Sequence, residues 1–241
     1  MSHRVIVLWS VPRSVSTSFE RMMSARGDHT VFDEPFSRSY YYGPDRRSSR
    51  YTETLPDSSA EDVLTSIEEA ALERPVFVKD MAYQAAALLG PDLLARFDNC
   101  FLVRDPAATL RSLAKRWPDF SDDESGWGHL DEVVRITESL GQSRVVLDAD
   151  LLCSDPAGVV AEWCARMDLP YDADALTWES GMRPEWDLWD DWHARTARST
   201  GFSELGPPPP PPTPDEPRLH EAYQAALPIY RRLAADAIGA T

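Results

Sequence analysis

The stretch Trp9-Ser10-Val11-Pro12-Arg13-Ser14-Val15-Ser16-Thr17-Ser18 has the residue types that capture an anion. It lies between an apolar run, Val5-Ile6-Val7-Leu8, and a segment with Phe19, Met22 and Met23 at helical spacing. A loop joining a strand to a helix N-terminus presents unpaired backbone N–H groups, and the helix dipole adds positive potential there. Ser14, Ser16, Thr17 and Ser18 add hydroxyl donors, and Arg13 adds a fixed fork of charge. Together they suit a phosphate or another tetrahedral anion. The same hydroxyls would also cap an ordinary helix, so the loop alone leaves both readings open. It is not a Walker A motif: it lacks the Gly-x-x-x-x-Gly-Lys pattern and contains no glycine.

Other residues capable of chemistry fall where apolar runs end. Thr30-Val31-Phe32 leads into Asp33-Glu34-Pro35, and Val76-Phe77-Val78 into Lys79-Asp80. Cys100-Phe101-Leu102-Val103 leads into Arg104-Asp105-Pro106, with Ser112 eight residues past Arg104. Such short, apolar, β-branched runs read as buried strands. A fifth covers 145–147. Helical spacing predicts helices over 17–26, 61–73, most of 82–97, 106–117, 129–140 and 156–167. Residues 37–60 read as a polar excursion with little regular structure, and 118–128 as an acidic loop. Strands alternating with helices predict an α/β fold with a mainly parallel sheet covered on both faces. Ligands bind such sheets at the carboxyl ends of the strands, so the loop, Glu34, Lys79 and Arg104 are expected to share one site.

Composition bounds the function. With 241 residues, 43% of them hydrophobic, the chain can bury one sizeable core. The expected layout is one α/β domain over 1–206, a polyproline segment over 207–214, and a C-terminal helix within 215–241 that packs on the same domain. The six prolines Pro207 to Pro212 would form a stiff spacer of about 19 Å at 3.1 Å per residue. A formal net charge of −16 opposes polyanions, so nucleic acid and acidic membranes are poor partners. No apolar stretch approaches a membrane span or a signal sequence, which predicts a cytoplasmic protein. Cys100, Cys153 and Cys164 lack C-x-x-C spacing, and the histidines are scattered, so no metal site is expected.

Two motifs then narrow the reading. Pro12-Arg13-Ser14-Val15-Ser16-Thr17 resembles the 5′-phosphosulfate loop of the sulfotransferase superfamily, which uses 3′-phosphoadenosine 5′-phosphosulfate (PAPS). Phe101-Leu102-Val103-Arg104-Asp105-Pro106 with Ser112 resembles that family's 3′-phosphate motif. Asp33-Glu34-Pro35-Phe36 resembles a segment that supplies a glutamate base in some members, and Val78-Lys79-Asp80 a strand end that supplies a lysine in others. Asp150-Leu151-Leu152 with Asp155-Pro156 resembles a late signature before a helix. Residues 189–202 resemble a late segment of a subgroup labelled branched-chain-aminotransferase-like; nothing of a pyridoxal-phosphate aminotransferase is legible. The cytosolic members place a catalytic histidine two residues after the lysine, where this chain has Met81. In the P-R-S-G-S-T form of the loop, glycine stands where this chain has Val15. A β-branched residue there predicts a negative φ.

The resemblance implies a P-loop-like sulfotransferase fold and a single site for PAPS, with 3′,5′-adenosine bisphosphate (PAP) as product. Pro12 to Ser18, Arg104 and Ser112 would hold the nucleotide. Ser112 lies about two turns, roughly 11 Å, along its helix, so that helix must cross the nucleotide. Arg13 and Lys79 would stabilise the transferring group, and Glu34, or second Asp80, would accept the proton of a small-molecule acceptor. His193, Arg195 and Arg198 are candidates to close over the nucleotide. Tyr40, Tyr41 and Tyr42 with Arg46, Arg47 and Arg50 are candidates for a lid that recognises an aromatic or acidic acceptor. Two other readings stay open: a phosphotransferase using Mg-ATP, with Asp148 as the metal carboxylate, and a non-catalytic nucleotide-binding protein.

Overall fold

The computed structural model describes residues 2–186 and 188–239. Its core is β1 (Val5–Ser10), buried along its whole length. Helix α1 (Ser16–Arg26) follows, then β2 (Thr30–Asp33), α2 (Pro35–Tyr42), α3 (Ala60–Glu73) and β3 (Val76–Asp80). The chain continues through α4 (Pro91–Leu94), β4 (Asp98–Val103), α5 (Pro106–Ala114), α6 (Trp127–Ser139) and β5 (Val146–Asp148). It ends with α7 (Ala149–Ser154), α8 (Pro156–Arg166), α9 (Asp190–His193) and α10 (Pro217–Ala234). The five strands form one parallel sheet in the order β2-β3-β1-β4-β5.

Alternation along the strands divides the core in two. Val5, Val7 and Trp9 of β1 join Val76, Val78, Phe101 and Val103 under α3, α6 and α10. Ile6 and Leu8 join Phe77, Cys100 and Leu102 under α1 and α8, with Phe19 and Trp163 edge-on at 4.9 Å. A strand buried on both faces needs a near-continuous apolar run, which Val5 to Trp9 supplies. The chain leaves β1 toward β2 on one side of the sheet, whereas β4 continues to β5 on the other. The loop after β1 therefore sits at the switch point, where open α/β sheets bind ligands.

Two expectations are corrected and one helix is added. The excursion after residue 36 begins with a helix, α2. Pro35 presets its first turn, and the Asp80 carboxylate accepts from the Phe36 N–H at 2.9 Å, standing in for an absent side-chain cap. Tyrosines are weak helix formers, so local pattern did not show a helix that tertiary burial stabilises. Residues 82–88 are successive tight turns rather than a helix, with i→i+3 bonds such as Gln84 N–H to Met81 C=O at 2.9 Å. Helix α7 follows β5 directly, capped by Asp148, whose Oδ1 accepts from the Asp150 and Leu151 amides.

The polyproline segment is tethered at its far end. Arg111 donates to Pro210 C=O at 3.1 Å and pairs with Glu216, and His220 Nδ1 contacts Pro212 C=O at 3.0 Å. Helix α10 then places Ala226 and Leu233 in the same core as β1, and the Ile238 amide donates to Val146 C=O at 2.9 Å. Among the described residues no helix is long and apolar enough to cross a membrane.

Candidate functional site

The loop after β1 is held rigidly from behind. Val11 N–H donates to Leu102 C=O at 3.4 Å, and Ser14 Oγ donates to Val11 C=O at 2.7 Å. Gly126 (φ +81°) lies so close that an added Cβ would stand 2.6 Å from Pro12 Cδ. Any larger residue there would push the loop forward.

The φ expected of Val15 is wrong. Val15 caps α1 in the left-handed region, at φ 64° and ψ 17°, and Arg13 also has φ 66°. Those flips turn the chain sharply, and the first turn of α1, whose amides have no helical acceptor, contains no acidic residue. Valine is a poor choice for this conformation, and the one signal for it was the glycine that stands there in the P-R-S-G-S-T form of the loop. The left-handed region costs an L-residue about 1–2 kcal/mol, and glycine's extra chain entropy returns about 0.5–1 kcal/mol of that. Val15 also packs against the core under α1 and α8, so Val15→Gly is compared with Val15→Ala, which loses the same packing, and is expected to melt higher than it by roughly 1–4 °C. A thermal melt checks this, and a lower melting temperature would refute the strain.

Around the loop lies a cavity of about 160 Å³, open to solvent. Pro12 to Ser18, Glu34, Arg104 and Ser112 all line it, so these predicted residues converge, whereas Lys79 does not reach the wall. Strand order sorts its wall. Arg104 follows β4 and Cys153 follows β5, on one side of the β1 loop; Glu34 follows β2 and Met81, Tyr83 and Gln84 follow β3, on the other. Strands lie about 4.8 Å apart, so β2 and β4 are separated by roughly 14 Å.

The β4 side is cationic in a strongly acidic chain. Arg13 Nε donates to Ser112 Oγ at 3.0 Å, and Arg104 donates to Arg13 C=O at 3.1 Å. Arg104 Nε is buried with no partner. Burial lowers the Arg13 pKa, and Arg116, Arg104 and Arg195 lower it further, against the opposing charge of Glu34. Like charges held this close repel, and an anion placed between them would relieve that repulsion. His193 and Arg195 also line the cavity; Arg198 does not.

The β2 side holds a buried charge network. Lys79 Nζ donates to Glu34 Oε1 at 2.6 Å and also pairs with Asp33. Asp33 Oδ2 lies 2.6 Å from His193 Nε2, and Gln84 Nε2 donates to Glu34 Oε2 at 3.1 Å. Burial alone would lower the Lys79 pKa, but the two carboxylates outweigh it and raise it. Burial likewise opposes ionised Asp33, but Lys79 and His193 hold its pKa down. Asp33, Glu34 and His193 offer ligand atoms within 4.8 Å of one another. The positive charge between the two carboxylates is the Lys79 ammonium.

Two predicted catalytic residues do not face the cavity. Lys79 is fully buried and Asp80 likewise, and neither lines the wall. Asp80 accepts from the Phe36 and Met81 amides, and burial pushes its carboxyl well above the usual range. It positions α2. Glu34 does line the wall, in a left-handed conformation (φ 45°) with its amide donating to Lys79 C=O at 2.7 Å. Asp148 also accepts from Tyr230 at 3.0 Å and does not line the cavity.

Sequence reading missed Asp33 as the partner of His193, because a contact across 160 positions leaves no local pattern. It also missed Tyr83, Gln84, Trp189 and Trp192 as wall residues, whereas Trp117, the start of a candidate second flap over 117–127, does line the wall. The late segment is pinned across the strand ends by Trp186 Nε1 to Glu20 at 3.1 Å, Trp189 Nε1 to Ser37 Oγ at 2.8 Å, and His193 to Asp33.

A family model described as a sulfotransferase domain matches residues 4–237. The chain is 31% identical over 203 residues to branched-chain-amino-acid aminotransferase-like protein 2 of Arabidopsis thaliana, covering 83% of this chain and 36% of that protein. It thus spans about a third of the length of the curated relatives it matches. Among solved structures it is similar to the sulfotransferase domain from the curacin biosynthetic pathway (TM-score 0.51, 12% identity, 97% of this chain and 98% of that one). It is also similar to sulfotransferase STF9 from Mycobacterium avium (TM-score 0.51, 14% identity, 98% of this chain and 77% of that one). At those identities the likeness shows the fold, the parallel-sheet P-loop-like architecture described above.

Proposed function

The chain belongs to the sulfotransferase domain family, and from that premise we propose that it moves a sulfuryl group from PAPS to a hydroxyl or amine of a small-molecule acceptor. One observation carries this reading. The β1 loop, Arg13, Arg104 and Ser112 line the same cavity as Glu34, with the cations on one side and the carboxylate on the other. That arrangement fits a two-phosphate nucleotide beside an acceptor.

Sulfuryl transfer resembles phosphoryl transfer, with a loose in-line transition state, so positioning and electrostatic stabilisation do most of the work. Arg13 and the amides at the start of α1 would hold the 5′-phosphosulfate, and Arg104 with Ser112 the 3′-phosphate. The acceptor oxygen bonds to sulfur as the bond from sulfur to the 5′-phosphate oxygen breaks. PAP leaves with that electron pair, and Glu34 takes the acceptor proton. Lys79 does not touch the sulfuryl group. It fixes one Glu34 oxygen while Gln84 fixes the other.

Calorimetry with PAP and with ATP, each with and without EDTA, tests the reading. PAP is expected to bind without a metal. Arg104→Ala should weaken PAP by on the order of 10- to 100-fold, the loss of a charge-assisted contact of about 1.5–3 kcal/mol. Binding of Mg-ATP alone would overturn the proposal in favour of a phosphotransferase.

A further inference from the structure

We propose that His193 is a second proton acceptor beside Glu34, and that the pair serves a primary amine, which arrives as an ammonium and gives up two protons on sulfation. The proposal rests on the sulfuryl-transfer reading and deepens it, naming a further catalytic residue and the acceptor it serves. His193 is 3% exposed and lines the cavity. Its ring is fixed from two sides: Nε2 lies 2.6 Å from Asp33 Oδ2, and Trp186 packs edge-on at 4.9 Å. Against the cost of burial, Lys79 helps to hold Asp33 ionised, so Asp33 accepts and Nε2 carries the hydrogen. The lone pair of the neutral ring then sits on Nδ1, and Nδ1 is buried with no partner. A carboxylate that fixes an imidazole in this tautomer also stabilises the imidazolium once a proton arrives.

The same corner holds an excess of hydrogen-bond acceptors. Gln84, also 3% exposed, spends Nε2 on Glu34 and leaves Oε1 buried without a partner. A ring nitrogen of His193 lies within 4.8 Å of a Glu34 carboxylate oxygen. One ammonium nitrogen spans such a gap, because two hydrogen bonds of about 2.8 Å opened at the tetrahedral angle reach across about 4.6 Å. Its three N–H groups match Glu34, His193 Nδ1 and Gln84 Oε1. A hydroxyl has one hydrogen and leaves two buried acceptors unmet. Charge agrees. Lys79 balances one of the carboxylates of Asp33 and Glu34, and burial pushes the Asp80 carboxyl well above the usual range. The remaining negative charge is the complement of one ammonium and repels an acid. The polar groups farther along the wall do not alter this. Arg195 belongs with Arg13, whose pKa it helps burial to lower, and those cations meet the anions of the nucleotide. Ser199 Oγ is taken by Trp178 Nε1 and Thr196 C=O. Thr196 and Ser203 bring no charge.

The proton count explains why two acceptors are present. An ammonium has no lone pair, so it first gives one proton to His193 Nδ1. The freed lone pair forms the N–S bond as the bond from sulfur to the 5′-phosphate oxygen breaks, and PAP leaves with that electron pair. The nitrogen now carries two hydrogens, the sulfuryl group and a positive charge, which makes its protons strongly acidic. Glu34 takes one of them and leaves a sulfamate anion. The stronger base meets the weaker acid and the carboxylate the stronger one. A hydroxyl gives up a single proton and needs Glu34 alone.

The test uses the whole chain with PAPS and three acceptors built on a six-membered ring: cyclohexylamine, an ammonium at neutral pH; aniline, an amine that arrives unprotonated; and cyclohexanol. Products are followed by mass spectrometry, and PAP affinity is measured on the same preparations. The expected kcat/KM for cyclohexylamine exceeds that for cyclohexanol by at least about tenfold. His193→Gln, which keeps a donor for Asp33, should lower kcat with cyclohexylamine by on the order of 10²- to 10⁴-fold. With aniline, which brings no ammonium proton to remove, the loss should be smaller by at least about tenfold. A residue that only held α9 in place would slow both amines alike. Calorimetry on the unsubstituted, PAP-loaded protein needs no variant to fold: cyclohexylammonium should bind at least about tenfold tighter than cyclohexanol. Faster sulfation of cyclohexanol, equal losses with both amines in His193→Gln, or no preference for the ammonium in calorimetry overturns the inference while the transferase reading stands. So does PAP binding without turnover of cyclohexylamine. Failure to bind PAP sinks the transferase reading itself and this inference with it.

Discussion

Glu34→Gln is expected to lower kcat by on the order of 10²- to 10⁴-fold, the usual contribution of a positioned proton acceptor, while leaving PAP affinity within about twofold. Glu34 is placed for this by backbone as much as by side chain. It caps α2 in the left-handed region, its amide donates to Lys79 C=O, and both its carboxylate oxygens are held, by Lys79 and Gln84. Glutamine keeps the shape and the backbone conformation, so a loss of kcat without a loss of PAP binding isolates proton transfer. Steady-state kinetics beside calorimetry make the measurement. A kcat within threefold of the parent would remove Glu34 from the reaction and direct attention to His193, which lines the same wall.

Lys79→Ala is expected to cost about 3–5 kcal/mol, because it leaves the buried carboxylate of Asp33 beside that of Glu34 without their shared cation. At about 2–4 °C per kcal/mol for a domain of this size, the melting temperature should fall by roughly 6–20 °C. Adding Asp33→Asn to Lys79→Ala should recover part of the loss, since one of the unpaired charges goes with it; strict additivity would show that the two do not interact. Acid should act on the same network. The pKa of Asp33 is held down in the folded protein, so its contribution is present above the unfolded carboxylate value of about 3.9 and is lost as pH falls through the folded one. Asp33→Asn should flatten that acid limb. A loss of under 1 kcal/mol in Lys79→Ala would mean that water or another group compensates the carboxylates.

Much of the fold was legible from local pattern. The apolar runs Val5-Ile6-Val7-Leu8, Val76-Phe77-Val78 and Cys100-Phe101-Leu102-Val103 are strands whose ends carry the loop, Lys79 and Arg104. Helices α3 and α8 were legible because an apolar stripe recurs at helical spacing along each, with Ser59 and Asp155 as caps. Helix α2 and the turns over 82–88 were not, because Asp80 and the burial of tyrosines stabilise the first and ring packing shapes the second.

The sequence by itself determined the loop between β1 and α1, the parallel α/β sheet and the order of the strand-end residues. Each follows from contacts between near neighbours and from the side-chain period of strands and helices. Only the tertiary structure decided what those residues face. It turned Lys79 and Asp80 inward and Glu34 toward the cavity, flipped Val15 into the left-handed region, and joined His193 to Asp33. It also bound Arg46, Arg47 and Arg50 away from the site, which left a ring-lined wall where sequence allowed an aromatic or an acidic acceptor. The reason is physical: burial makes an unpaired charge costly, so each charged group takes whichever partner the fold brings within reach, and that partner can lie anywhere along the chain.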